Sequence, residues 1–319
     1  MTKFNISVVI ALEGKVDALP MLLSCLEKQS LPAARYEVLL VFYGNTPREA
    51  FEMAERCTAG APVPVKNLSE PSHNEVRAKN LGAANASGGV VLFLDQDLFA
   101  GPRLLAAHAE IHEIQDRPVV VMGTVERSRS LSKGALTRWF MREELALMDA
   151  AMPDHPFYWS SQHCSLRRES FLEAGGFNET YVSGRAADIH LAQALIKSKH
   201  VMTAMQEHPG YIWREAQFED ERKRYWREGY DLCKLSHAKK NPGILYHFRL
   251  SSSAVRYRVD TLFAPFYIRA CQVPHLDTRI HGQSCQHVFY HDRRSGARAA
   301  LAGRPPDLRD IHAPGESDQ

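Results

Sequence analysis

Asp95 and Asp97 stand one residue apart, directly after the apolar run Val90-Val91-Leu92-Phe93-Leu94. Apolar residues on consecutive positions mark a strand buried on both faces of a parallel sheet. In open α/β sheets ligands bind beyond the carboxyl ends of the strands, so the run predicts two anionic groups at the working edge. Carboxylates at i and i+2 across a turn can share one hard divalent cation, and such a cation commonly bridges phosphate oxygens of a nucleotide. The chemistry this points to is metal-assisted work on a phosphorylated substrate. The plainer reading is that two aspartates end a strand in a turn, a position Asp favours.

The elements that must position this pair alternate along the N-terminal part of the chain. Ile6-Ser7-Val8-Val9-Ile10 reads as a buried strand, Leu19, Leu22, Leu23 and Leu26 recur at helical spacing, and Val38-Leu39-Leu40-Val41-Phe42 makes a second strand. A helix near 47–57, a short strand at 63–66 and a helix over 75–86 precede the strand that ends at Asp95. This alternation predicts an α/β fold with a doubly wound, mostly parallel, Rossmann-like sheet. Further on, 101–116 reads as a helix, 118–125 as a strand, and 136–151, 168–174, 187–198 and 217–239 as helices. After about residue 275 the chain turns polar, and Gly303-Arg304-Pro305-Pro306 onward reads as a disordered tail.

Composition narrows the class. With 45% hydrophobic and 24% charged residues, the 319-residue chain matches ordinary soluble globular proteins and is long enough for a sizeable core. A formal charge of +2 is too small to argue for nucleic acid or a membrane surface as a general partner. Cys25, Cys57, Cys164, Cys233, Cys271 and Cys285 form no CxxC pair, which argues against a zinc site or disulfide framework and fits a reducing compartment. The start leads directly into a strand, so no leader is expected. No apolar run approaches the ~20 residues that span a bilayer. These features predict a cytoplasmic enzyme without a transmembrane segment.

Several segments recur in a telling order. The first strand with its helix leads to Glu37-Val38-Leu39-Leu40-Val41, and Arg77-Ala78-Lys79-Asn80-Leu81-Gly82-Ala83-Ala84 precedes Asp95-Gln96-Asp97. Ser165-Leu166-Arg167-Arg168-Glu169 is followed by Glu173-Ala174-Gly175-Gly176-Phe177-Asn178-Glu179, and then by Tyr225-Trp226-Arg227-Glu228-Gly229-Tyr230. Together these resemble the family 2 glycosyltransferases, inverting enzymes of the GT-A fold that use nucleotide-sugar donors. The segments correspond to that family's opening βαβ unit, its "A-R-N-x-G" helix, its Asp-x-Asp motif, its "R-R…G-G-F-D-E" segment and its "Y-x-x-G" helix. The resemblance implies a GT-A domain over 1–240, a helical or irregular extension over 241–275 and a polar, partly disordered tail over 276–319.

The resemblance also implies roles. Asp95 and Asp97 would hold Mn²⁺ or Mg²⁺ against the leaving diphosphate, with His208 as a further ligand. Asp188, standing where the family carries an "E-D" acid pair, would be the general base that takes the acceptor proton. Glu13, Tyr43, Arg77, Asn80 and Asp95 would contact the nucleotide-diphosphate sugar donor. The acceptor stays open among small molecules, glycans, lipids and peptides, and nucleic acid is not expected.

Departures from the family pattern are concentrated at the donor. The second strand, usually closed by "D-D-G-S-x-D", ends here in Phe42-Tyr43-Gly44-Asn45-Thr46-Pro47. The first loop, usually "P-x-Y-N", is Ala11-Leu12-Glu13-Gly14, and the "E-D" pair is Ala187-Asp188. Trp213 falls where a histidine is expected, with His208 the nearest substitute.

Each role has a structural competitor. Asp188 also suits a helix N-cap. Arg77 and Lys79 also suit a solvated helix face, and Glu13 an exposed loop. Phe157-Tyr158-Trp159 could stack on a sugar or pack in the core. Arg222, Lys223, Arg224 and Arg227 could clamp an anion or line a solvated face. His163 reads as a core histidine and Cys164 as a small apolar residue. Two rival functions remain. Haloacid-dehalogenase-type phosphatases share the apolar run before Asp-x-Asp, but they want Thr or Val where this chain has Phe99. A non-catalytic binding protein on the same fold would explain the missing acids, yet Asp95, Asp97 and Asp188 are all present.

Overall fold

A computed structural model describes residues 4–14, 17–128, 131, 136, 137, 139, 140, 155–251, 253–273 and 278–306. Most of the helix expected over 136–151, and the tail beyond 306, lie outside the described residues. The chain divides into two compact units, Met1–Ser130 with Ala150–Arg214, and Leu131–Asp149 with Glu215–Gln319.

The first unit is built on an eight-stranded sheet. Its strands are β1 (Phe4–Glu13), β2 (Tyr36–Tyr43), β3 (Val65–Glu70), β4 (Gly88–Leu94), β5 (Leu98–Ala100), β6 (Val119–Arg127), β7 (His163–Arg167) and β8 (Val201–Ile212). Its helices are α1 (Leu19–Glu27), α2 (Arg48–Thr58), α3 (Glu75–Asn85), α4 (Leu104–Ile114), α5 (Arg168–Glu173) and α6 (Gly184–Lys197). The strand order is β3-β2-β1-β4-β7-β6-β8-β5. β3, β2, β1 and β4 run parallel. β7 opposes both β4 and β6, β8 runs with β6, and β5 opposes β8. The mixed α/β, mostly parallel sheet expected from the alternating elements is what the chain forms.

Register explains the two-sided burial. Val8 pairs with Val38 and Leu92, so these side chains share a face with Ile6, Ile10 and Leu94. That face packs on Leu19, Leu22, Leu23 and Leu26 of α1 and on Leu104, Leu105 and Ala109 of α4. On the other face α3 lies close, because Gly82 has no side chain; a Cβ there would sit 2.4 Å from Val9 Cγ1. Phe93 on the same face packs against Phe171 and Phe177, with centroids 5.3 and 5.1 Å away. Burying both faces of β1, β2 and β4 stabilises by about 1.5–3 kcal/mol per large apolar side chain. The sheet therefore holds the strand ends firmly.

The second unit is helical among its described residues, with α7 (Phe218–Ala238), α8 (Gly243–His247), α9 (Ala254–Cys271) and α10 (Thr278–Leu301). α7 and α10 meet backbone to backbone at two glycines. A Cβ on Gly229 would fall 1.8 Å from the Arg293 carbonyl oxygen, and one on Gly296 would fall 2.0 Å from that of Trp226. The α10 helix occupies most of the described part of the polar segment after residue 275, a segment expected to be partly disordered. Cys285, Val288 and Phe289 form an i, i+3, i+4 stripe in the core of this unit. Its charges are paired there too: Arg222 Nε donates to Asp292 Oδ2 at 2.9 Å, and Arg293 Nη2 to Glu228 Oε2 at 2.6 Å. Arg222 thus joins two helices, and Arg224 pairs with Glu221 and Glu228.

Candidate active site at the strand ends

β1, β2 and β4 end side by side, and their last residues make one edge. Leu94 closes β4, and the Asp95 N–H donates to the Gln162 carbonyl at 2.8 Å. The Asp97 N–H turns back to Asp95 Oδ1 at 2.9 Å, so the two acids form a tight turn. Gln96 between them accepts from the Glu13 N–H at 3.0 Å, tying the end of β1 to the acidic turn. Gly44, at φ +64°, lets the chain leave β2 where a Cβ would meet Glu13 Oε1 and His73 Nδ1, each at 2.9 Å. Tyr43 ends β2 close to Glu13; burial, then Glu75, Glu13 and Asp95, hold its pKa well above the usual phenol range. A neutral phenol thus stands among three carboxylates.

A buried cation joins this edge to Asp188. Lys79 of α3 is 5% exposed; its Nζ lies 2.5 Å from Glu75 Oε1 and donates to Ser161 Oγ at 3.0 Å. Burial works against the ammonium, but Glu75, Asp188 and Asp95 outweigh it, and its pKa lies above the ordinary value. The Ser161 N–H in turn donates to Asp188 Oδ2 at 3.1 Å, while Asp188 Oδ1 is buried with no hydrogen-bond partner. Burial raises the Asp188 carboxyl, and Lys79, Ser161 and Arg185 oppose the rise. Asp188 is not a cap. The α6 helix starts at Gly184 with Ser183 in the N-cap position, so Asp188 lies inside the helix on its buried face.

Asp97 faces a cavity of about 170 Å³ lined by Leu12, Asp17, Leu19, Gln96, Trp213 and Arg214, among others. Burial, then Asp95, raise its carboxyl to about 6, against the pull of Arg214, whose Nη1 lies 3.6 Å away. Trp213 stacks on Phe99 at 5.5 Å. Two crowded, partly desolvated carboxylates are an oxygen donor set that suits Mg²⁺ or Mn²⁺.

His208 is not gathered with them. It lies in β8 beside the register shift between Gly123 and Val125 of β6, near enough to His108 to be one of the groups that lower that ring's pKa. Among the described residues no three His, Cys, Asp or Glu side chains are grouped to hold a metal ion. His108 instead belongs to a buried chain of hydrogen bonds. The Thr124 carbonyl can only accept, so His163 Nδ1 donates to it at 3.1 Å. A neutral His163 then accepts at Nε2 from His108 Nε2 at 2.9 Å, and His108 Nδ1 accepts from Ser165 Oγ at 2.7 Å. His112 Nε2 donates to Ser165 Oγ at 2.8 Å, which leaves its own Nδ1 without a partner. Burial holds His112 and His163 down to about 4. Gly123 makes room for the His163 ring, 2.0 Å from where a Cβ would be.

Arg77 and Asn80 are placed away from the acidic edge. Arg77 Nε lies 3.4 Å from Glu179 Oε2 and is half exposed. Asn80 brackets the Phe177 backbone, accepting from its N–H at 3.0 Å and donating to its carbonyl at 2.9 Å, with a further bond to Glu179. Its polar atoms are spent on shaping the loop after Gly176. Lys79, between them, is the residue of this helix that reaches the acids. The signal was available: Val76, Lys79 and Ala83 fall at i, i+3 and i+7, the buried stripe of α3. In the aromatic trio Phe157 and Trp159 are buried, with their carbonyls held by Arg185, and Tyr158 is partly exposed. Cys164 is fully buried and its thiol pKa is pushed up by burial, an inert core position.

A mixed α/β sheet of Rossmann-like order, with paired acids at its carboxyl edge, has GT-A-type architecture. The family model described as "Glycosyltransferase like family 2" matches residues 7–222, and the chain belongs to this family. A search of curated protein sequences gave no match. Among solved structures the chain is similar in fold to residues 1–349 of TarS from S. aureus, at 13% identity and a TM-score of 0.53, covering 94% of this chain and 92% of that one. It is also similar to the mannosyltransferase PcManGT from Pyrobaculum calidifontis, solved with GDP-Man and Mn²⁺, at 15% identity and a TM-score of 0.59 over 94% and 88% of the two chains. TarS 1–349 in complex with UDP-GlcNAc matches at 13% identity and a TM-score of 0.51, over 94% and 93%.

Proposed function

We propose that this glycosyltransferase moves a sugar from a nucleotide-diphosphate donor to an acceptor hydroxyl by a single inverting displacement, with Asp188 as general base. The observation that carries the reading is a convergence. The Asp95 N–H at the end of β4 donates to the Gln162 carbonyl, and the adjoining Ser161 donates its N–H to Asp188 Oδ2 on α6 while its hydroxyl accepts from the buried Lys79. Asp188 Oδ2 is fixed by the Ser161 N–H, which leaves the unpartnered Oδ1 to take the acceptor proton. Lys79 opposes the effect of burial and favours the ionised base. As the acceptor oxygen attacks the anomeric carbon, the bond to the diphosphate breaks on the opposite side.

Asp95 and Asp97 are the residues that would hold a divalent cation, and Arg214 is placed to yield Asp97 to it or to add positive charge beside it. Bound there, Mg²⁺ or Mn²⁺ supplies Lewis-acid stabilisation of the leaving diphosphate. TarS and PcManGT have been solved with UDP, UDP-GlcNAc and GDP-Man, which supports a nucleotide-sugar donor here. Tyr43, beside Glu13 at the end of β2, would close the base pocket where other members carry carboxylates. Six unpaired cysteines fit a reducing compartment such as the cytoplasm.

Thermal-shift titration with UDP, GDP and dTDP, each with Mn²⁺ and with EDTA, tests the donor site, because a bound ligand raises apparent stability by mass action. At least one diphosphate should stabilise the protein only with metal, and Asp97→Ala should abolish that gain while leaving the unliganded melt in place. Equal stabilisation of Asp97→Ala would overturn the assignment.

A further inference from the structure

The α9 helix is apolar on two opposite faces, and only one of them is packed. Ile268 is buried, and Tyr267 and Cys271 pack beside it on the core formed with Phe289. Tyr267 stacks on His287 at 4.4 Å, Tyr257 on His291 at 5.3 Å, and Asp260 pairs with Arg294 at 2.7 Å. This face holds α9 to α10. The opposite face carries Val255, Val259, Leu262, Phe263 and Phe266, which are 72%, 47%, 75%, 50% and 68% exposed. Their spacing of i, i+4, i+7, i+8 and i+11 makes one continuous stripe. Single exposed apolar residues are ordinary, but a contiguous patch of this kind marks an interaction surface.

Charge identifies the occupant. At about 100° per residue, Arg258 and Arg269 border the stripe on one side and Arg256 on the other. All three are exposed. The helix has one acid, Asp260, and it is turned inward to Arg294. The outward face is therefore an apolar strip between cationic rims, with no negative charge. A second copy seated on it would bring arginines against arginines. An anionic bilayer offers the complement: an acyl boundary for the stripe and phosphates for the rims, reached by side chains whose stems are themselves apolar. No helix among the described residues is long and apolar enough to cross a membrane, so the contact is one that lies on the surface.

We propose that α9 seats this protein on an anionic lipid surface. Flotation of the full chain with phosphatidylcholine vesicles, with and without phosphatidylglycerol, tests it independently of the catalytic reading. The wild type should float with the anionic vesicles, and added salt should weaken the association. Changing Leu262, Phe263 and Phe266 together to Ser should lower the partition coefficient about 100-fold or more. Changing Arg256, Arg258 and Arg269 together to Gln should lower it about 100-fold on anionic vesicles, and far less on neutral ones. Since all six side chains are exposed, the thermal melt of both variants should match the wild type. Absence of wild-type flotation, or flotation undiminished in the serine variant, would overturn the proposal. So would self-association in sedimentation that the serine variant abolishes while neither protein floats, because the stripe would then belong to a second copy.

Discussion

Replacing His112 by Gln should flatten the acid limb of the stability profile. The His112 ring is 6% exposed, donates its only N–H to Ser165 and is held down to about 4 by burial and then by Arg167. An unfolded histidine titrates near 6.5, so as pH falls the unfolded chain takes up the proton first. The contribution is therefore fully present above about pH 6.5 and is lost as pH falls toward 4. The whole gap is worth about 3.4 kcal/mol, of which roughly 2.4 kcal/mol falls between about pH 7 and pH 4.5. His163, also held near 4, contributes a similar loss over the same window. Asp97 acts in the opposite sense: with a pKa of about 6 when folded, it binds its proton before the unfolded chain does and offsets part of the loss. The comparison with His112→Gln removes that term, because Asp97 is unchanged. Gln retains an N–H for Ser165 and does not titrate. Urea unfolding at the two pH values should show the variant losing roughly 2.4 kcal/mol less than the wild type. Parallel losses in the two proteins would refute the claim that this ring is held neutral in the native state.

Lys79→Met should raise the Asp188 pKa further, because the group opposing burial is gone; the acid limb of the turnover profile then moves to higher pH, which a pH–rate comparison checks. It should also cost about 3–5 kcal/mol of stability at neutral pH if Asp188 stays charged, read from urea melts. Asn80→Ala should lose about 2–3 kcal/mol through its hydrogen bonds to the Phe177 backbone and the Glu179 side chain, with nucleotide affinity of the folded protein unchanged in calorimetry.

Consecutive apolar runs made β1, β2 and β4 legible, because only a strand covered on both faces needs them. The position of Asp95 and Asp97 at the sheet edge followed from the same reasoning. What escaped was set by packing across the chain. Lys79 looked like one more charge on a polar helix until Gly82 pressed α3 against Val9 and turned the lysine inward. His208 looked near enough to the acids by sequence count, but it lies in β8 beside a register shift and is not grouped with them. Asp188 kept a competing reading as a cap because the apolar period begins after it, whereas α6 starts at Gly184 and places it inside the helix. The tail expected after 275 was judged on average polarity, which hides the Cys285, Val288, Phe289 stripe and the ion pairs around it. A formal charge of +2 likewise conceals three arginines on one face of α9.

Asp188→Asn tests the central claim most directly. Asn keeps the shape and an oxygen for the Ser161 N–H, but it cannot accept the acceptor's proton. With a donor found by the thermal-shift panel, turnover is followed as release of nucleoside diphosphate, and donor affinity is measured by calorimetry on the same samples. The account predicts unchanged donor affinity and a fall in turnover of about 10²–10⁴-fold. Turnover close to wild type at unchanged affinity would contradict it and remove Asp188 from the chemistry.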